Sequence, residues 1–139
     1  MTSIIYPMAA LVFLTVAVIL IMLFLRVKAV RSRKISPRYF KINKGGELPE
    51  QLTAITQNFN NLLELPILFY VVCTLALVLN KEASYFITAA WLYVILRYAH
   101  SIIHTTYNHI IHRLYAFAAS CVVLVAMWVK VVVLVSAVA

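Results

Sequence analysis

The feature that most constrains this chain is the uncharged run from Ile4 to Leu25. A helix needs about 20 mostly apolar residues to cross the hydrocarbon core of a bilayer, and this run meets that length by itself. No Lys or Arg precedes it, and no small-residue cleavage pattern separates it from the charges that begin at Arg26. It is therefore expected to be a retained membrane span and not a cleaved signal peptide.

Three further spans are expected. The second is apolar from Leu65 to Leu79, carries a polar N-terminal extension from Glu50, and ends at Asn80-Lys81-Glu82. The third begins near Ala83, but its apolar run stops at Leu96, so a full crossing draws Arg97 and His100 to membrane depth. The fourth runs from about Ile110 to Val138, interrupted by Lys130. That lysine lies about 25 Å along the axis from Arg113 and can snorkel to the far interface. The expected fold is an all-α integral membrane protein. One domain over residues 1–139 forms a four-transmembrane-helix bundle, with helices at about 4–33, 50–79, 83–107 and 110–138. With 65% hydrophobic residues, two glycines and four prolines, the composition suits neither a soluble α/β domain nor a disordered chain.

Eight of the twelve Lys and Arg residues lie between Arg26 and Lys44. Positive loops stay inside, so the first loop is expected in the cytoplasm and both termini on the opposite side, at the inner membrane if the source is bacterial. The loop from Thr105 to His112 shares the cytoplasmic side. The net charge of +8 does not indicate nucleic acid, because the basic residues border a span and belong to no recognition module. Anionic headgroups of membrane lipids are the natural partners of such a cluster. Ser36-Pro37 and Gly45-Gly46 mark an irregular first loop, while Cys73 and Cys121 fall inside apolar segments and read as core residues.

Ionisable residues inside spans cost about 2.5 to 3.5 kcal/mol each on insertion scales, so those present need a reason. Gln57, Asn61 and Glu64 form an i, i+4, i+7 stripe on the second span, and Arg97, His100, His104 and Asn108 form another on the third. Counted from the outer turn at Asn80 and Lys81, Glu64 reaches the depth of Arg97, Asn61 that of His100 and Gln57 that of His104. The expectation is a buried Glu64–Arg97 ion pair, with the stripes making either a polar pocket open to the cytoplasm or a hydrogen-bonded helix interface. His100 and His104 have metal-pair spacing, but no Cys or Asp lies nearby and no ligand signature appears, so no metal is assigned. His109 and His112 read as interfacial loop residues. Arg113 opens the fourth span, where snorkelling alone explains most arginines.

These residues resemble the MAPEG family, the membrane-associated proteins in eicosanoid and glutathione metabolism, over nearly the whole chain and most closely its bacterial members. The likeness rests on Asn61-Leu-Leu-Glu64 followed by Pro66, and on Arg97-Tyr-Ala-His100-Ser101 followed by Arg113. The Arg97 to Arg113 interval is similar to that of the microsomal prostaglandin E synthase branch, and Arg31 through Ser36-Pro37 to the leukotriene C synthase branch. The resemblance implies a homotrimer binding glutathione, as co-substrate, at each subunit interface. On it, Asn61 and Glu64 bind glutathione, Arg97 and His100 line or support the pocket, and Arg113 stabilises the thiolate; the two polar stripes add Gln57 and His104 as further glutathione-binding candidates. Arg31 lies near the thiol or the lipophilic substrate. The implied activity is that of a membrane-bound glutathione transferase or peroxidase acting on lipophilic electrophiles or lipid hydroperoxides from the bilayer. The alternative is a non-catalytic protein of the same fold that binds a lipid or a partner. The pattern departs from the family at His104, where a tyrosine is usual, and at Leu114 and Phe117, which replace the Ser and Tyr of the prostaglandin branch.

Overall fold

The computed structural model describes residues 3–42, 48–80 and 84–137. It contains helices α1 (Ile5–Arg31), α2 (Tyr39–Ile42), α3 (Glu50–Val78), α4 (Ser84–Thr105) and α5 (Ile110–Ser136). All but α2 are long and apolar enough to cross a membrane, and no strand occurs among the described residues. The Gly45-Gly46 pair, Lys44, the outer-turn residues Lys81 and Glu82, and the expected helix limits at Ala83 and Val138 lie outside the described residues.

α4 packs against α1, α3 and α5, and α3 also touches α1 and α5, whereas α1 and α5 do not meet. α3 and α4 are thus the central pair, flanked on opposite sides by α1 and α5. Each long helix contributes residues at helical spacing to one core, such as Leu11, Leu14, Val18 and Met22 from α1 and Leu124, Met127 and Val131 from α5. Between the central helices the rings of Phe69 and Tyr93 stack with centroids 4.5 Å apart. The Tyr98 hydroxyl donates to the Ala10 carbonyl at 2.8 Å and ties α4 to α1. The outward faces are apolar as well: Phe13, Phe24, Ile67, Ile95, Val122 and Val132 are all exposed. Such a surface fits hydrocarbon, which leaves no penalty for exposed apolar side chains.

The described part of the first loop, from Ser32 to Ile42, is more ordered than its Ser36-Pro37 signal suggests. α1 stops at Arg31 and is closed by bonds from Arg33 N–H to the Val30 carbonyl and from Lys34 N–H to the Ala29 carbonyl. Arg33 takes the left-handed position of this cap, with φ 56°, a place where glycine is usual. The Ser36 hydroxyl then accepts from the Arg38 N–H at 3.3 Å, starting α2 just after Pro37. Ile35 is buried, Tyr39 and Phe40 pack on the core, and the Arg26 guanidinium sits 5.3 Å from the Phe40 ring centroid.

Candidate functional site

The polar stripe of α4 faces inward. Arg97, His100 and His104 are all buried, as is Ser101, and they follow Ala90 and Tyr93 down the same face. Arg97 is fully enclosed: its Nη2 donates to the Asn61 carbonyl of α3 at 2.6 Å, and its guanidinium carbon lies 5.8 Å from the centroid of Phe117 on α5. Its Nε and Nη1 have no hydrogen-bond partner among the described residues, nor do His100 Nε2 and His104 Nδ1. The carbonyl it reaches lies one residue before that of Leu62, which Pro66, inside α3, leaves without its usual helical donor.

The expected Glu64–Arg97 ion pair is not formed. Equal residue counts put the two at one depth, but contact also requires the right azimuth, and Glu64 lies on the outward side of α3. At 3.6 residues per turn it points well away from the face that buries Asn58, Leu62, Pro66 and Phe69. Gln57 shares that outward side and is exposed, while Asn61 at the boundary is half-buried. Among the described residues, the two stripes are joined by the Arg97–Asn61 hydrogen bond alone. A second hydrogen bond between α4 and α3 involves Asn58, whose Oδ1 accepts from Ser101 Oγ at 3.1 Å. Asn58 and Ser101 were legible as partners only through the apolar positions they continue, since Asn58 stands four residues before core residue Leu62.

Arg113, in the first turn of α5, is held from two directions by α4 and the turn that follows it. His100 Nδ1–H donates to the Arg113 carbonyl at 2.9 Å. Arg113 Nη1 donates to His104 Nε2 at 3.2 Å and to Asn108 Oδ1 at 2.8 Å. Because a guanidinium only donates, His104 must accept through Nε2 and keep its proton on Nδ1. Asn108 has φ 46°, a left-handed turn that asparagine tolerates better than most residues. Nη1 is thereby engaged twice, and the half-exposed side chain retains Nε and Nη2 for other partners. Arg31, at the last residue of α1, is exposed. Leu114 is exposed, and Phe117 packs its ring 5.7 Å from that of His100. His109 and His112 lie outside this cluster, at the start of α5, with ring centroids 4.4 Å apart and Tyr107 bonded to His112.

Four long apolar helices, the third with a buried basic and imidazole stripe, define a multi-pass membrane protein. The MAPEG family model matches residues 4–133, and the chain belongs to that family. Comparison with curated proteins and with solved structures returned no match.

Proposed function

We propose that this chain is a membrane-bound glutathione transferase or peroxidase that acts, as a homotrimer, on lipophilic electrophiles or lipid hydroperoxides entering from the bilayer. The observation that carries this reading is Glu64: an exposed carboxylate among exposed Leu63, Ile67 and Leu68, on the outward face of a spanning helix. A charge there costs about 2.5 to 3.5 kcal/mol unless it is paired, and Arg97 does not pair it. A partner from outside the protomer would relieve that cost, and the amino group of glutathione lodged against a neighbouring subunit supplies one. Asn61 at the same edge offers its side-chain amide, and Arg31 with its basic neighbours would meet the glutathione carboxylates. The unpartnered N–H groups of Arg97 add to the local positive potential.

In this reading Arg113 does the chemistry. A cysteine thiol has a pKa near 8.5, and a cation beside it favours the thiolate, the nucleophilic form. One pKa unit is about 1.4 kcal/mol, within the reach of one oriented guanidinium in a partly desolvated site. His100 and His104 position Arg113 by its backbone and side chain. With an aryl halide, the thiol proton passes to solvent, the sulfur lone pair forms the C–S bond and halide leaves with the C–halogen pair.

The non-catalytic alternative is favoured by the loss of hydroxyls at His104, Leu114 and Phe117. Titrating glutathione into the purified protein and following thiolate absorbance separates the two readings. A thiolate signal and aryl-halide conjugation are expected. Binding of glutathione without either would leave the scaffold reading standing, and no binding at all would overturn the proposal.

A further inference from the structure

A cleft of about 160 Å³ lies where the basic end of α1 meets the first turn of α3. Its polar wall carries Lys28, Ser32, Lys34 and Gln51, and its apolar wall includes Leu25 and Leu52. We propose that this cleft binds the phosphate headgroup of an anionic phospholipid.

Three independent features converge on an anion. Lys28 and Ser32 are one turn apart on α1, and the left-handed turn at Arg33 folds the chain back so that Lys34 joins them. The Ser32 hydroxyl gives its proton to the Ala29 carbonyl at 3.2 Å, so the attraction for an anion comes from the two ammonium groups and not from this hydroxyl. α3 enters the cleft at Pro49, which brings no side-chain cap to the first-turn amides. Those N–H groups and the positive end of a long helix favour an anion placed there. Among the described residues no carboxylate lines the cleft, although Glu50 lies exposed beside it.

The position favours a lipid over a free anion. Leu25 ends the uncharged run, so the cleft lies at the boundary between hydrocarbon and headgroups. Below it, Leu20, Ile21 and Phe24 present an exposed apolar face along which acyl chains can lie. Basic pockets beside membrane helices take anionic headgroups by this combination of local charge and flanking hydrocarbon. The stretch that carries Lys34 is also held in shape, by buried Ile35 and by Arg26 over Phe40.

The test is native mass spectrometry of the intact protein in a neutral detergent, with phosphatidylglycerol, phosphatidylcholine or inorganic phosphate added. The wild type is expected to retain phosphatidylglycerol in preference to phosphatidylcholine. Lys28→Gln with Lys34→Gln should weaken that retention about 30-fold, at the usual contribution of a lysine near an anionic surface. Lys41→Gln, an exposed lysine on the same loop and outside the cleft, should leave it near wild type. Unchanged helicity and elution volume would show that the double variant is folded; should it fail to fold, Ser32→Asp, which adds a negative charge to the wall, must weaken retention instead. Equal loss in Lys41→Gln would assign the effect to diffuse charge and overturn the proposal. Equal retention of phosphatidylcholine would do the same, as would displacement of the lipid by equimolar inorganic phosphate.

Discussion

At the residue scale, two arginines of one polar cluster carry opposite expectations. Arg113 is half-exposed and oriented by His104 and Asn108, so its guanidinium is placed to act on a bound anion. Arg113→Ala is expected to lower the turnover of aryl-halide conjugation far more than it weakens glutathione binding, because a cation acting on ionised sulfur contributes mainly to the transition state. Arg113→Lys should recover only part, lacking the planar fork that bonds two acceptors at once. Wild-type turnover with an unchanged thiolate signal in Arg113→Ala would return this arginine to a snorkelling role. Asn61→Ala should show the reverse split, with weaker binding and little change in the rate at saturation. Arg97 is enclosed with one hydrogen bond and two unpartnered nitrogens. A buried charge that is poorly compensated carries a desolvation cost that an apolar residue of similar size does not. Arg97→Leu is therefore expected to keep or raise the unfolding temperature of the ligand-free protein; a fall of several degrees would mean that the charge is compensated within the bundle.

At the element scale, the ends of the helices hold the strain and the central pair holds the order. Arg33 closes α1 from a left-handed conformation that costs a non-glycine residue about 1 to 2 kcal/mol. Arg33→Gly should relieve most of this and raise thermal stability, offset in part by the greater freedom of glycine in the unfolded chain. No gain in a melting experiment would show that the arginine side chain offsets the strain through contacts of its own. The Asn108 turn is different, because its side chain also holds Arg113. There the left-handed backbone aims an acceptor at a functional candidate, and a glycine would relieve the turn while releasing the arginine. α4 is the element through which these effects combine, since it touches every other long helix.

At the scale of the whole molecule, orientation follows from charge outside the membrane. Arg31, Arg33, Lys34, Arg38 and Lys41 are exposed at one end of the bundle. Basic segments beside a span resist translocation, so this end is expected in the cytoplasm. A single cysteine introduced as Lys41→Cys should react with an impermeant maleimide only after the cytoplasmic side is opened. Labelling from the outside alone would invert the topology and place the candidate site at the other face.

The four spans, their order and the inward stripe of Arg97, His100 and His104 were legible in the sequence. A bilayer demands long apolar runs with satisfied backbones, and breaks in such runs are visible in composition alone. Membership of the MAPEG family was legible for a related reason: its short motifs lie at fixed spacing on helices whose geometry hardly varies. The order within the first loop was not, because α2 depends on Ile35, Tyr39 and Phe40 finding the core, which no local signal reports. Nor was the partner of Arg97. Residue counting along two helices predicts depth, but rotation about each helix axis is set by packing of the whole face, and that rotation turned Glu64 outward and brought Asn58 to Ser101. The sequence determined which groups reach each level of the membrane; the tertiary structure decided which of them meet, because azimuth is a property of the packed bundle and not of any one helix.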